Sequence, residues 1–252
     1  MKILIDTKKN TIKIKNKTIN IYSKKSFEYI SELWIKLGWN QKYSYTFTWL
    51  GRPIIQIPED IVRLQELIFR IKPNKIIETG IAHGGTAILF ASILDQIKKK
   101  GKVFAIDIKI KSKNLKAIKN HSLSKYIKLF EGSSVDSKIF RNVKKNIKLN
   151  DKVFVFLDSN HTYEHVYNEL ILYSQIVSKN SYIVACDGVM NLVNDTPRGK
   201  RDWIIDNPIK AIKKFLKNND NFVLSEPNWL FNESKLNKRI THSPMCFLKK
   251  IK

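Results

Sequence analysis

Two aspartates and one histidine are the residues of this sequence whose types and spacing most favour chemistry. Asp158 ends the apolar run VFVFLD, Asp187 ends the apolar run YIVACD, and His161 lies three residues after Asp158. If both runs are adjacent parallel strands, their carboxyl ends meet at one edge of the sheet and both carboxylates face one crevice. Neighbouring carboxylates repel each other, and a hard divalent cation bound to their oxygens removes that conflict. The pattern therefore predicts a metal site at Asp158 and Asp187.

His161 is expected at the mouth of the same crevice. A histidine side chain ordinarily titrates near neutral pH, so His161 is a candidate general base for a substrate hydroxyl whose pKa the metal lowers. Two other interpretations remain open. His161 and His165 lie four residues apart on one helix face and could bind a transition metal together, or His161 caps the helix while His165 is a surface residue.

A glycine-rich turn joins the strand KIIETG to the helix that begins in GGTAILFA. Gly80 and Gly84 lack a Cβ, which lets the backbone approach a ligand while the free helix N–H groups point towards it. The next strand ends in Asp107, where a carboxylate can accept hydrogen bonds from both hydroxyls of a ribose. Ser133 and Ser134 follow the third strand. These strand ends predict an adenosine site, and tight packing or ordinary turn roles for the same residues remain the alternative.

Both candidate sites depend on a regular alternation of apolar runs with helical patterns after residue 58. Five β–α repeats with strands apolar on both faces predict a parallel sheet covered by helices on either side. The last two runs have no helix between them and are predicted to pair antiparallel. In chain order the predicted strands cover residues 75–80, 102–108, 126–132, 152–159, 181–188, 221–226 and 245–250.

Residues 1–50 are predicted to form an extension of a hairpin and a helix. Alternating apolar residues indicate the hairpin, and apolar residues at helical spacing between Ser26 and Leu37 indicate the helix, which Gly38 is expected to end. The aromatic segment 43–53 is either a strand over the core or a lid over the site. The two interpretations cannot be separated by composition.

A long loop is predicted over residues 191–206, after the fifth strand. Loops of this length in a compact domain are usually functional or disordered, and this one is a second candidate cover for the site. Arg198 and Arg201 are candidates to hold a phosphate or carboxylate of the substrate, and Trp203 is a candidate to stack on a sugar or base.

The chain carries 46 Lys and Arg against 22 Asp and Glu, a formal net charge of +24. Because the lysines are spread over nearly every segment, codon bias with a solvated surface explains the excess better than a polyanion site does, and recruitment of a phosphorylated substrate is the alternative.

An apolar fraction of 43% is enough for a sizeable core and excludes a peptide hormone or a disordered tail. The two cysteines show no disulfide or zinc pattern, and neither a signal peptide nor a membrane span is evident. A soluble cytoplasmic protein is predicted.

Segments 61–94 and 153–188 resemble the cephalosporin hydroxylase family. The resemblance is carried by the pattern E-T-G-x-x-x-G-G at the glycine-rich turn and by L-D-S-x-H around Asp158, and it spans residues 51–215. This family comprises class I S-adenosylmethionine (SAM)-dependent methyltransferases, including metal-dependent sugar O-methyltransferases. The resemblance implies a Rossmann-like α/β fold with a seven-stranded, mostly parallel sheet and an antiparallel last strand, to which the N-terminal hairpin and helix are added.

The resemblance also implies roles for single residues. It implies a divalent ion, Mg²⁺ or Mn²⁺, at Asp158 and Asp187, with Asp158 and His161 as the catalytic residues. Members usually carry a Glu–Asp pair at the end of the fifth strand, and Cys186 replaces that glutamate here. A thiol is a poor Mg²⁺ ligand, so the replacement implies weaker binding, a softer ion or loss of the metal. The residues implied in SAM binding are Glu78, Gly80, Ala82, Gly84, Asp107, Ser133 and Ser134.

The sequence thus predicts a SAM-dependent O-methyltransferase, with residues 1–50 as an extension and residues 51–252 as the SAM-binding domain. The expected substrate is a sugar, either nucleotide-activated or a surface-polysaccharide precursor. A nucleic-acid-binding protein or RNA methyltransferase of the same fold is the alternative, which the even spread of lysines disfavours. A hydroxylase is disfavoured because the two-His-one-carboxylate pattern of non-haem iron oxygenases is missing. No nucleic-acid partner is expected, and assembly into a homo-oligomer through the N-terminal hairpin stays open.

Overall fold

Three short antiparallel strands open the chain. The computed structural model describes residues 2–98 and 100–252. Within it, β1 (Ile3–Asp6), β2 (Thr11–Ile14) and β3 (Lys17–Asn20) form a separate sheet in the order β1-β2-β3. Ile12 and Ile14 are buried under this sheet, as the alternating pattern predicts. The predicted hairpin is present and has one strand more than expected.

Helix α1 (Lys24–Asn40) follows, and the prediction that Gly38 ends it is wrong. Gly38 lies inside the last turn, and the Gln41 N–H still donates to the Leu37 carbonyl oxygen at 2.9 Å. The residue that reverses the chain is Lys42, which adopts the left-handed conformation with φ of 56°. A glycine ends a helix only where it takes that left-handed position itself.

The aromatic segment 43–53 folds into a 3₁₀ turn and the hairpin of β4 (Phe47–Trp49) and β5 (Arg52–Ile54). Phe47 and Trp49 pack against the main hydrophobic core. The Trp49 Nε1 donates to Ser92 Oγ at 3.0 Å, which attaches the hairpin to the helix beneath it. The strands of this segment therefore cover the core, and Ser44, Tyr45 and Pro53 of the same segment line the first cavity described below.

The rest of the chain forms the main α/β unit around one seven-stranded sheet. Its strand order is β11-β12-β10-β9-β6-β7-β8, with β12 antiparallel to both of its neighbours and the other pairs parallel. The predicted topology is confirmed. In chain order the elements are α2 (Pro58–Ile71), β6 (Lys75–Thr79), α3 (Gly85–Ile97), β7 (Lys102–Asp107), α4 (Ser112–Lys119), β8 (Ile127–Glu131), α5 (Ser137–Lys144), β9 (Val153–Leu157), α6 (Tyr163–Tyr173), β10 (Tyr182–Ala185), α7 (Met190–Val193), α8 (Pro208–Lys217), β11 (Phe222–Leu224) and β12 (Phe247–Lys250).

Strands β9 and β10 lie at the centre of the core. Every residue of both strands is buried, as expected for parallel strands covered on both faces. The order of the strands reverses at β6, where β7 lies on one side and β9 on the other. Ligands of open α/β sheets bind outside the carboxyl ends of strands at such a reversal.

Residues 191–206 are more ordered than the long loop predicted from the sequence. The segment begins within α7 and contains a 3₁₀ turn at Arg201–Ile204. Val193 packs against Ile35 of α1 and Val189 in a small second hydrophobic cluster. This burial explains the order, because the segment has its own apolar contacts. Within the described residues, none of the helices has the length and apolar character to cross a membrane.

Candidate active site

Asp158, His161 and Asp187 lie together at the carboxyl ends of β9 and β10. Each residue offers one ligand atom, and these three atoms lie within 4.8 Å of one another. The two strands are parallel neighbours with Leu157 paired to Ala185, so the residues after each strand reach the same edge of the sheet. The two carboxylates share one crevice, as the strand pattern predicts.

The electrostatics of this group fit a divalent cation. Burial raises the pKa of Asp158 well above its ordinary value, and the carboxylates of Asp187 and Glu78 raise it further. Gln56 partly offsets this effect, since its Nε2 donates to Asp158 Oδ2 at 3.0 Å. On the opposite side, His161 Nε2 lies 3.4 Å from Asp187 Oδ2. A half-buried carboxylate beside two others has its charge offset when a cation binds between the oxygens.

Cys186 does not join this group. Its side chain is buried, and burial together with Asp158 and Asp187 raises the pKa of the Cys186 thiol well above its ordinary value. A protonated thiol is a poor ligand for a hard cation, because metals bind the thiolate. Among the described residues, the candidate ligands are thus the two carboxylates and His161.

A first cavity of about 220 Å³ contains this group. Its floor comes from the strand ends and the glycine-rich turn, and its walls come from α1, the segment before β5 and a residue near the C-terminus. The lining residues are Trp39, Ser44, Tyr45, Pro53, Ile55, Gly80, Ile81, Ala82, His83, Gly85, Thr86, Asp158, Ser159, His161, Asp187 and His242.

A second cavity of about 280 Å³ lies next to the first and shares Gly80 and Ser159 with it. It contains the residues predicted to form the adenosine site at the ends of β7 and β8. The lining residues are Gly80, Ile106, Asp107, Ile108, Ser133, Ser134, Ser159, Asn160 and His165. The structure thus places the predicted adenosine site and the predicted metal site side by side.

Gly80 separates the two cavities at a position where only glycine fits. Its φ is 85°, and an added Cβ would lie 2.0 Å from the backbone oxygen of Asp158. Gly84 and Ala82 also have positive φ, of 86° and 45°. Tight packing against the end of β9 is thus one reason for a glycine at position 80. Gly80 also lines both cavities, so packing is not its whole role.

Asp107 holds the glycine-rich turn in place. Its Oδ2 accepts hydrogen bonds from the Ile81 N–H at 2.8 Å and the Ala82 N–H at 3.2 Å, and its Oδ1 accepts from the Lys109 N–H at 3.1 Å. A carboxylate has about four lone-pair sites, so these bonds leave acceptor capacity towards the second cavity. The turn role and the ribose role predicted as alternatives are thus compatible.

Glu78 is buried and lacks a partner. Neither of its carboxylate oxygens has a hydrogen-bond partner, and burial together with Asp107 raises the pKa of Glu78 well above its ordinary value. Among the described residues that line the two cavities, Glu78 is not included. A buried carboxyl without a hydrogen-bond partner is an unsatisfied polar group, and a cation in a neighbouring cavity would offset its charge without touching it. SAM carries a sulfonium and an ammonium cation, so this compensation is a prediction that the substitution described below tests.

Comparison with known proteins identifies the family. The model of the Rhamnosyl O-methyltransferase/CmcI family matches residues 41–251. The chain belongs to this family. The rhamnosyl O-methyltransferase of Mycobacterium tuberculosis is 29% identical over 145 residues, which are 57% of this chain and 58% of that protein. The rhamnosyl O-methyltransferase of Mycobacterium leprae is 27% identical over 147 residues, 58% of this chain and 62% of that protein. The chain thus matches less than two thirds of the length of these curated relatives.

Solved structures confirm the fold of this family member. A structure of CmcI with Mg and SAM superimposes with a TM-score of 0.55 and 12% sequence identity, covering 82% of this chain and 78% of that one. At that identity the likeness shows the fold alone, which is the class I methyltransferase fold. The resemblance to the cephalosporin hydroxylase family predicted from two sequence segments is confirmed.

The structure contradicts both alternative interpretations of His165. The residue lies in contact with Ser134, Ser159 and Glu169, so it is neither a surface residue nor a metal ligand together with His161. Its Nε2 lies 3.1 Å from Ser134 Oγ and 3.0 Å from Ser159 Oγ, with Glu169 Oε1 at 3.5 Å. The imidazole ring points from α6 towards the second cavity because its hydrogen-bond partners Ser134 and Ser159 lie there. His165 therefore connects the segments that follow β8 and β9.

The structure places the three predicted substrate residues of segment 191–206 outside both cavities. Arg198 lies over the rings of Trp39 and Tyr45, with its guanidinium carbon 5.8 Å from each ring centroid. Trp203 packs edge-to-face on Trp39 at 5.8 Å between ring centroids, and Arg201 is exposed. Their contact with substrate stays a prediction.

Several residues of the site have no signal in the sequence. Gln56 and Trp39 come from the N-terminal quarter of the chain, and His242 comes from an irregular segment before β12, whereas Tyr45 lies in the aromatic segment 43–53, a candidate lid over the site. The buried carboxylate of Asp60 accepts a hydrogen bond from the His242 N–H at 2.7 Å and fixes this part of the wall. Neither Gln56, two residues before the proline that starts α2, nor the isolated His242 belongs to a sequence pattern that would mark it as a site residue.

The substitution Glu78→Gln should stabilise the ligand-free protein and weaken SAM binding. The change removes a buried carboxyl that has no hydrogen-bond partner and whose ionisation is unfavourable, and an increment of about 1 kcal/mol corresponds to a rise of roughly 2–4 °C in Tm. Differential scanning calorimetry checks the first effect and titration calorimetry with SAM the second. Glu164→Gln, at an exposed position of α6, serves as the matched control. A lower Tm or an unchanged affinity for SAM would contradict the prediction that Glu78 compensates the positive charge of SAM.

Proposed function

We propose that this chain transfers the methyl group of SAM to a hydroxyl group of a sugar, with a divalent ion at Asp158 and Asp187 and with His161 as the general base. The observation that carries the proposal is the cluster of these three side chains, whose ligand atoms lie within 4.8 Å of one another and which all line the first cavity. The family and its curated rhamnosyl O-methyltransferases support the reaction and the sugar class.

The second cavity is the proposed SAM site and the first is the proposed acceptor site. Asp107, Ser133 and Ser134 surround the proposed ribose and adenine positions, and the orphaned Glu78 carboxylate compensates positive charge on the donor. Gly80 lines both cavities, and a side chain at this position would collide with the Asp158 backbone at the end of β9. Residues 51–252 are proposed to form the SAM-binding domain, to which residues 1–50 add one wall of the acceptor site.

The chain's own residues supply the acid–base part of the reaction. His161 Nε2 is proposed to accept the proton of the acceptor hydroxyl, and Asp187 Oδ2, 3.4 Å away, stabilises the imidazolium that forms. Gln56 orients the Asp158 carboxylate by its hydrogen bond. When bound, SAM provides the electrophilic methyl group and the divalent ion favours ionisation of the hydroxyl.

Positioning is the other contribution of the chain. The first cavity is small, and Pro53 and Ile55 give it apolar walls. A confined site holds the acceptor oxygen in line with the donor and excludes water that would compete for the methyl group. For a nucleotide-activated acceptor, the basic surface of the chain would favour the diphosphate, and we expect the KM to rise with salt.

A transfer assay tests the proposal. The protein is incubated with methyl-labelled SAM, methyl α-L-rhamnopyranoside and either Mg²⁺ or Mn²⁺, and methylated glycoside is separated and counted. We expect turnover that depends on the ion and disappears when the ion is chelated. Absence of heat on titration of SAM into the protein would overturn the enzyme assignment, and metal-independent turnover would overturn the role of the ion.

A divalent ion should stabilise the fold more strongly at high pH than at low pH. The carboxyl groups of Asp158 and Glu78 have raised pKa values, so their contribution to stability is present below the ordinary carboxyl pKa of about 4 and is lost as the pH rises through their raised values. The ion binds the deprotonated carboxylate and restores that loss. We expect the rise in Tm on addition of Mg²⁺ or Mn²⁺ to be larger at about pH 8 than at about pH 5.5. A rise in Tm that does not change with pH would contradict the metal site.

A further inference from the structure

Two aromatic residues line the first cavity together with the metal-binding group, and we call them the aromatic wall. The wall consists of Trp39, at the end of α1, and Tyr45, in the 3₁₀ turn that follows. Both rings line the cavity that also contains Asp158, His161 and Asp187. A ring of this kind presents the electron-rich face of its π system to the space where an acceptor would lie.

The indole of Trp39 is held from three sides. Trp203 packs edge-to-face on it with 5.8 Å between ring centroids, and His242 does so at 5.7 Å. Arg198 lies over it and donates a hydrogen bond from Nη1 to the Trp39 carbonyl oxygen at 2.5 Å. A ring fixed in this way loses little conformational freedom when a ligand binds, which is the property of a preformed recognition surface.

Arg198 connects the two rings of the wall. Its guanidinium carbon lies 5.8 Å from the Trp39 ring centroid and 5.8 Å from the Tyr45 ring centroid. Among the described residues, Arg198 lines neither cavity, so the contact of its side chain is with the rings. A guanidinium that lies over an aromatic face is attracted to it by a cation–π interaction.

The wall also has a chemical preference. One face of a pyranose ring presents C–H groups, and a deoxysugar adds a methyl group to the apolar surface, whereas its hydroxyls point outward. Aromatic faces bind such apolar surfaces, and the few polar groups of a pocket then fix the orientation. In the first cavity, the polar groups that could fix the orientation of the sugar include His161 and Asp187. The family match begins at residue 41, so Trp39 is a feature of this chain outside the matched segment.

We infer that Trp39 and Tyr45 form the surface on which the apolar face of the acceptor sugar lies, and that Arg198 is a positioning residue that holds both rings. The inference rests on the proposed function, because it assumes a sugar acceptor next to the metal site. It changes the role expected for Arg198 from direct contact with a phosphate of the substrate to support of the aromatic wall.

The test measures steady-state kinetics with methyl α-L-rhamnopyranoside as the varied substrate and SAM at saturation. For Trp39→Ala we expect the KM for the glycoside to rise roughly tenfold while kcat changes less than about threefold, the pattern of lost ground-state binding. Trp39→Phe, which keeps a ring, should recover most of the loss. The affinity for SAM, measured by calorimetry, should be unchanged in both variants.

Arg198 is tested by a double-mutant cycle. Arg198→Ala alone should raise the KM by a smaller factor, and in Trp39→Ala/Arg198→Ala the two effects should combine to less than their product, because Arg198 acts through the ring that is missing. Tyr22→Ala, at an exposed position before α1, and Arg141→Ala, at an exposed position of α5, are the controls. Both are expected to leave the KM unchanged.

The outcomes separate the two proposals. If the unchanged protein binds no SAM or does not methylate the glycoside, the proposed function fails and the inference fails with it. If the unchanged protein turns over but Trp39→Ala has an unchanged KM, the aromatic wall alone is overturned. If the effects of the two substitutions multiply, Arg198 acts independently of Trp39 and its positioning role is overturned.

Discussion

Replacing His161 with alanine lowers kcat by about 10²–10⁴-fold and leaves the affinity for SAM unchanged. The reason is that His161 Nε2 is the proposed acceptor of the hydroxyl proton, whereas SAM is proposed to bind in the second cavity, which His161 does not line. Without this base the hydroxyl must lose its proton to water, for which the small first cavity leaves little room. Single-turnover kinetics with labelled SAM measure the chemical step directly.

Addition of imidazole provides the control for this variant. The alanine side chain leaves space next to Asp187, and a free imidazole in that space can accept the proton in place of the missing ring. We expect partial recovery of kcat that saturates with imidazole concentration. A variant that keeps its full kcat would show that His161 is a spectator, and a variant that loses SAM binding would show a structural role instead.

The substitution Asp158→Asn should lower kcat/KM by on the order of 10³-fold and remove the dependence of activity on the divalent ion. The amide lacks the charge that attracts the cation, although it keeps the size of the side chain and the contact with Gln56. The same change should raise the Tm of the metal-free protein, because a buried carboxyl with a raised pKa is replaced by a neutral group. Asp187→Asn should show the same loss of metal dependence.

Thermal unfolding with and without Mn²⁺ separates metal binding from catalysis. In Asp158→Asn the rise in Tm produced by Mn²⁺ should disappear, and it should persist in Asp220→Asn, whose exposed carboxylate pairs with Lys252 at the surface. An Asp158→Asn protein that is still stabilised by Mn²⁺ to the same extent would place the ion elsewhere.

The sheet and its reactive edge could be predicted from the sequence because both follow from local patterns. A parallel strand buried on both faces has a continuous apolar run, and the residue after such a run lies at the edge of the sheet. Asp107, Asp158 and Asp187 each follow one of these runs, so their convergence requires only the order of the strands. The antiparallel β12 was predictable because no helix separates it from β11.

Residues that reach the site from other elements could not be predicted in this way. Trp39 and Gln56 lie outside the β–α alternation, and their positions depend on how α1 packs on α7 and on the following 3₁₀ turn and on how the hairpin packs on α3. His242 is held by the buried Asp60 on α2, a contact between residues 182 positions apart in the chain. Contacts of that separation are determined by tertiary packing, for which a single sequence has no periodic signal.

Local patterns also failed where the tertiary environment competed with them. The apolar residues of α1 at positions 30, 33, 34 and 37 recur at helical spacing, yet each is between 37% and 53% exposed, and the buried residues of the helix include Ser26, Ser31 and Gly38. The spacing indicated the helix and not its buried face. His165 shows the reverse case, because a polar residue on an amphipathic helix turned inward to the hydroxyls of Ser134 and Ser159.

Anomalous diffraction from crystals grown with Mn²⁺ and S-adenosylhomocysteine locates the ion and the nucleoside together. We expect a manganese peak coordinated by carboxylate oxygens of Asp158 and Asp187, with the nucleoside in the cavity lined by Asp107 and Ser134 and the sulfur directed past Gly80 towards the metal. A manganese peak away from both carboxylates, or a nucleoside bound outside that cavity, would contradict this expectation.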